Sequence, residues 1–153
     1  MMKKELHELL TENGVTLATA ESCTGGALAA LITANPGASK YYVGGVVAYS
    51  DSSKTILIDV PQELILKHGA VSKEVALSMA EGVKNKLNAD YALAVTGIAG
   101  PSGATPNKPV GTVWCAISTP TTTEAWQLQL KGSRLEIIQA SCEALLHKLS
   151  LLL

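Results

Sequence analysis

The stretch that most constrains this chain is YALAVT, residues 91–96. It is a continuous apolar run rather than an alternating one, and a glycine-rich loop, GIAGPSGATPNKP, follows it. A strand without a polar face must be covered on both sides, which places it inside a sheet with helices above and below.

The rest of the chain supplies those helices. Residues 2–13 carry Leu6, Leu9 and Leu10 at helical spacing, and Asn13-Gly14 is a stop. TLATA (16–20) reads as a short strand, and Thr24 to Ala34 as a helix ended by Asn35-Pro36-Gly37. VGGVVAY (43–49) is a second strand, followed by a polar turn, SDSSK, and a short helix, TILI; Pro61 opens another short helix. Ser72 caps a helix over 73–87 with Val75, Met79, Val83 and Leu87 as its apolar stripe. VGTVWCAIS (110–118) and EAWQLQL (124–130) are joined only by TPTTT, which makes them an antiparallel hairpin. The last helix runs from about Leu135 to Leu149, with Leu135, Ile138, Cys142, Leu145 and Leu149 facing inward. Strands alternating with helices, plus one late hairpin, predict an α/β fold. The expectation is a three-layer α/β/α sandwich over residues 1–153 as one domain, its mixed sheet mostly parallel, with about five strands and one antiparallel.

Composition narrows the function. Hydrophobic residues make up 47% and charged residues 16%, and there is no Phe, so Ala, Val, Ile and Leu fill the core. A net charge of −1 without a basic block argues against electrostatic nucleic-acid binding but leaves a phosphorylated small molecule open. No apolar stretch is long enough to span a bilayer, and MMKKELHELL lacks a secretory segment. Cys23, Cys115 and Cys142 are odd in number and have no CxxC spacing, which argues against a disulfide framework and against zinc. The expectation is a cytoplasmic protein with reduced thiols and no membrane partner.

In open α/β sheets, sites form beyond the carboxyl ends of the strands. Three polar clusters stand there: AESCTGG, YSDSSK and TGIAGP. Ser22 is either a helix cap, a nucleophile or part of an anion cradle; as a nucleophile it needs a base. His7 and His147 fall in terminal helices as surface residues and His68 in a turn, so a histidine triad is poorly supported. Lys54 is the other base. It and Tyr49 converge on Ser22 if strands 16–20 and 43–49 are neighbours; otherwise Lys54 is a solvated turn residue and Tyr49 a cover for the core. Lysine is protonated at neutral pH unless burial or a nearby cation lowers its pKa. Cys23 ranks below Ser22, since a small cysteine before a buried helix is ordinarily inert. Gly25 and Gly26, with Cys23 or Thr24, offer backbone N–H groups for an oxyanion or another anion. TGIAGP is neither GxGxxG nor a Walker loop. In GSRLE, Ser133 and Glu136 fit a capping box, and Arg134 stands in a first turn where the helix dipole disfavours a cation; a bound anion would offset that.

AESCTGG, GGVVAYSDSSK, HGAVS, ADYALAVTGIAGP, KPVGTVW and GSR occur in the order and spacing of the CinA C-terminal domain family. The chain resembles that family from about Leu6 to Leu149. The likeness is to its stand-alone nicotinamide-nucleotide amidases, which lack the preceding molybdopterin-binding-like domain. The resemblance implies hydrolysis of the carboxamide of nicotinamide mononucleotide to nicotinate mononucleotide and ammonia, without metal or organic cofactor, in a homo-oligomer. It also implies Ser22 as nucleophile, Lys54 and Tyr49 as its proton relay, and an oxyanion site at Thr24, Gly25 and Gly26. Arg134 and the loop with Thr96, Gly97 and Gly100 would hold the phosphate. Two other roles exist for such a chain: a catalytically silent nucleotide-binding paralogue and a competence-associated accessory protein. Two residues depart from the family's usual pattern. Asp51 replaces Asn, beside Tyr49 and near Lys54, where a carboxylate favours protonated lysine. Ser133 replaces Asp, which keeps the cap but removes a charge near Arg134.

Overall fold

The computed structural model describes residues 2–153. Helix α1 (Lys4–Asn13) leads into strand β1 (Leu17–Glu21) and helix α2 (Ala27–Thr33). A short 3-10 turn precedes β2 (Tyr42–Val47), and three helices follow: α3 (Asp51–Ile58), α4 (Gln62–His68) and α5 (Lys73–Leu87). Strands β3 (Tyr91–Gly97), β4 (Thr112–Ser118) and β5 (Thr123–Gln129) and helix α6 (Arg134–Leu152) complete the chain.

One sheet holds all five strands in the order β2-β1-β3-β4-β5. β1 pairs in parallel with both β2 and β3, and β4 runs antiparallel to both β3 and β5. A single reversed strand in an otherwise parallel set is what the late hairpin predicts.

The two faces of the sheet are built from different residues. Alternation sends Leu17, Leu93, Val95, Val113, Cys115 and Ile117 to one face, where they pack with α1, α2 and α6. The other face is almost all alanine: Ala18, Ala20, Ala92, Ala94 and Ala116. Small side chains there let α5 lie close across β1, β3, β4 and β5. The same closeness recurs between helices, since a Cβ on Gly82 of α5 would stand 2.0 Å from the Ile58 carbonyl oxygen.

Four details differ from the sequence expectations. SDSSK is not a turn: Ser50 caps α3, accepting from the Ser53 N–H at 3.2 Å, and the helix begins at Asp51. Ser and Asp are residues that a helix start favours, so the polar cluster marks the first turn. Lys54 is thereby carried on a helix. α2 begins at Ala27 rather than Thr24, because Gly25 and Gly26 have φ of 57° and 104°, outside the helical region. In α6 the buried face follows Ile137, Ser141, Cys142, Leu145, Leu146 and Leu149, and Leu135 is exposed. Ser141 hides its polarity by donating to the Ile137 carbonyl at 2.7 Å, so it reads as polar in the sequence yet belongs to the core. Leu87, the last residue of α5, lies partly exposed against β2, where a Cβ on Gly44 would touch it.

Candidate active site

Strand β1 delivers Ser22. The pairing of β1 continues one step past its end, with the Ser22 N–H donating to the Val95 carbonyl at 3.0 Å and the Ala48 N–H donating to that of Glu21 at 2.8 Å. Alternation puts Ser22 on the same side as Ala18 and Ala20, towards α3.

Lys54 approaches from that side. It is only 1% exposed. Its Nζ donates to Ser22 Oγ at 3.1 Å and to the carbonyl oxygens of Ala48 at 2.9 Å, Tyr49 at 3.3 Å and Ser50 at 3.5 Å. A neutral amine has two hydrogens and one lone pair. Two carbonyls can take the hydrogens, which leaves the lone pair for the Ser22 hydroxyl. Burial pushes the Lys54 pKa below its ordinary value, while Asp51 and then Cys23 pull less strongly the other way. The sequence alternative of a solvated lysine is overturned by this burial.

Glu21, which sequence reasoning passed over, is 1% exposed and faces α2. Its carboxylate accepts from the Thr24 hydroxyl at 2.6 Å and from the N–H groups of Leu28 at 2.8 Å and Ala29 at 3.1 Å. It therefore caps α2 from inside the core and fixes the turn after Ser22. Its one signal in the sequence is a carboxylate closing an apolar strand, three residues ahead of a threonine.

Ser22, Cys23, Tyr49, Asp51 and Lys54 line one side of a cleft of ≈ 230 Å³; Ala70, Val71, Thr96, Gly97, Gly100 and Arg134 line the rest with the loop beyond β3. Thr96 donates its hydroxyl to the Ala70 carbonyl at 2.9 Å and so ties two walls together. Arg134 donates to the Gly100 carbonyl at 2.8 Å and to the Tyr49 hydroxyl at 3.0 Å. Gly100 needs to be glycine: its φ is 79°, and a Cβ would stand 2.5 Å from Val110.

The structure thus brings Ser22, Lys54, Tyr49, Thr96, Gly97, Gly100 and Arg134 to one cleft. Tyr49 meets the Ser22–Lys54 pair through its carbonyl, whereas its hydroxyl lies on Arg134. Thr24, Gly25 and Gly26 are not among the lining residues; Thr24 turns inward to Glu21, and the Gly25 N–H donates to the Ser22 carbonyl at 3.1 Å. Burial pushes the Cys23 thiol up to about 12, so it is no thiolate at neutral pH. No histidine lines the cleft. His7 is half-buried against the Tyr41 hydroxyl, His68 faces Glu74 and His147 is exposed.

The cleft lies at the ends of parallel strands β1 and β2, carries a buried serine–lysine pair, and is closed by an arginine from α6. The lining residues named here belong to five of the six motifs given above; KPVGTVW contributes none. The family model of the CinA C-terminal domain matches residues 1–153.

The chain belongs to the CinA C-terminal domain family.

The CinA-like protein of Desulfotalea psychrophila is 50% identical over 151 residues, 99% of this chain and 36% of that protein. The CinA-like protein of Gloeobacter violaceus is 52% identical over 126 residues, 82% of this chain and 30% of that protein. The chain therefore spans about a third of the length of these curated relatives. Among solved structures, the competence damage-inducible protein A of Klebsiella pneumoniae is 36% identical with a TM-score of 0.92, covering 95% of this chain and 91% of that one. The competence/damage inducible protein CihA of Agrobacterium tumefaciens is 34% identical with a TM-score of 0.92, covering 99% and 98%. Among the described residues no helix is long and apolar enough to cross a membrane.

Proposed function

We propose that this chain is a nicotinamide-nucleotide amidase that cleaves the carboxamide of nicotinamide mononucleotide, with Ser22 as nucleophile and Lys54 as general base. The observation that carries the reading is the buried Lys54 amine, 3.1 Å from Ser22 Oγ, in a cleft that Arg134 also lines. A serine beside a desolvated lysine has no need of histidine.

In this scheme neutral Lys54 takes the Ser22 proton as Oγ attacks the carboxamide carbon. The carbonyl π-electrons move to oxygen, and the oxyanion is met by the backbone N–H of Cys23, the one residue of the turn after Ser22 that lines the cleft. Among the described residues the Gly25 N–H is engaged by the Ser22 carbonyl, while those of Cys23, Thr24 and Gly26 have no backbone acceptor. The C–N bond breaks, the Lys54 ammonium protonates the leaving nitrogen, and ammonia departs. Water attacks the acyl-serine, gives its proton to Lys54, and nicotinate mononucleotide leaves as Ser22 recovers its hydrogen. No metal or organic cofactor enters this sequence. Arg134 holds the phosphate with donors left over from Gly100 and Tyr49. The reading includes a cytoplasmic homo-oligomer that serves NAD salvage.

The test is to incubate the protein with nicotinamide mononucleotide and follow ammonia and nicotinate mononucleotide. Ser22→Ala should lower the rate by about 10³-fold or more while leaving the fold intact. Full activity in that variant would end the serine mechanism. Nucleotide binding without turnover in the native protein would favour the silent paralogue.

A further inference from the structure

The cleft is lined by charge of both signs. Asp51, exposed at the first position of α3, is the one carboxylate among the lining residues. Arg134, at the first position of α6, is a cation fixed by the Gly100 carbonyl and the Tyr49 hydroxyl. An acid at the start of a helix complements the helix dipole. Here, however, it also faces the cleft, three residues from the base, and it opposes the lowering of the Lys54 pKa. For a neutral amide that carboxylate favours the protonated base and offers nothing in return; for a purely anionic amide it also repels the ligand.

A ligand with a positive charge beside the amide and a negative charge farther off reverses the last of these effects. A nicotinamide ring joined to ribose through its nitrogen is such a ligand. Its ring carries a formal positive charge and is bonded to the carbon under attack. Wherever Ser22 reaches the carboxamide, that charge stands beside the reacting centre. We propose that Asp51 is a specificity-determining residue that recognises the positive charge of the pyridinium ring. The site therefore prefers the oxidised, pyridinium nucleotide over the dihydropyridine nucleotide, which has a neutral ring and the same phosphate. This inference rests on the nucleotide-amidase reading above.

The experiment compares oxidised and reduced nicotinamide mononucleotide as substrates of the native protein, Asp51→Asn and Asp51→Glu. In Asp51→Asn the ratio of kcat/KM, oxidised over reduced, should fall roughly two- to fivefold, the range of a partly solvated ion pair. Asp51→Glu should retain most of the preference, and added salt should erode it in the native protein. A change by the same factor for both substrates would mean that Asp51 acts only on Lys54; it would overturn this proposal and leave the amidase reading standing. If the native protein hydrolyses neither nucleotide, the amidase reading fails, and calorimetric binding of the two nucleotides decides the present one. Tighter binding of the oxidised form that is lost in Asp51→Asn supports the proposal; equal binding, or none, overturns it.

Discussion

Lys54→Met separates the chemistry of the base from its packing. Methionine keeps the length of the lysine stem and removes the amine. Two effects on stability then oppose each other. The Ala48 carbonyl loses the donor it holds at 2.9 Å. A buried acceptor without a partner costs about 1–3 kcal/mol. Against this, the variant no longer has to bring an amine out of water to a site that is 1% exposed. The two effects nearly offset, so the variant at pH 7 should stay within about 2 kcal/mol of the native protein. Amide hydrolysis should fall about 10²- to 10⁴-fold, the usual contribution of a positioned base. The pH dependence gives a second, independent reading. Burial holds the folded pKa of Lys54 below its ordinary 10.5. Below that folded value both states carry the proton, and the full penalty of burying an ammonium is present. Between the folded value and 10.5 the unfolded chain binds more protons, so native stability rises with pH across that window relative to the variant. Urea unfolding of both proteins over a pH series, alongside ammonia release, measures both effects. A variant that keeps its activity, or a stability difference that does not change with pH up to 10.5, would refute the account of Lys54 as a desolvated base.

Glu21→Gln puts a donor where α2 and Thr24 require acceptors; it should cost about 2–4 kcal/mol in thermal or urea unfolding, and a loss below about 0.5 kcal/mol would show that the internal cap is dispensable. Arg134→Ala should lower the preference for the nucleotide over the unphosphorylated nucleoside by about tenfold in kcat/KM, as expected for one charge-assisted contact, and an unchanged ratio would remove Arg134 from the phosphate site.

The architecture was legible because its signals are periodic. The unbroken apolar run at 91–96 required cover on both faces, and TPTTT was too short for anything but a hairpin. The capping box at Ser133 and Glu136 and the cap at Ser72 also stand where their side chains suggested. The site was legible in part. Ser22 and Lys54 were brought together from strand adjacency, and β1 does lie beside β2. Burial of Lys54 was not legible, since SDSSK looks solvated and only tertiary packing encloses its last residue. Glu21 was missed for a related reason: a carboxylate at the end of a strand has no periodic signature, and its partners, Leu28 and Ala29, are backbone groups that any residue would supply. The double glycine, read from the sequence for its N–H groups, also sets where α2 begins. It allows left-handed backbone, and the turn's N–H groups are disposed accordingly.

The alanine face of the sheet has a consequence beyond stability. Ala70 and Val71, one wall of the cleft, run directly into Ser72 and helix α5, which rests on Ala18, Ala20, Ala92, Ala94 and Ala116. The height of that helix above the sheet is therefore also the gauge of the cleft. These methyl groups act as shims: none of them lines the cleft, yet they set the height of the helix that carries one of its walls. Relatives of this chain have a route to a broader or narrower substrate that leaves Ser22, Lys54 and Arg134 untouched, by exchanging one small interior side chain for another.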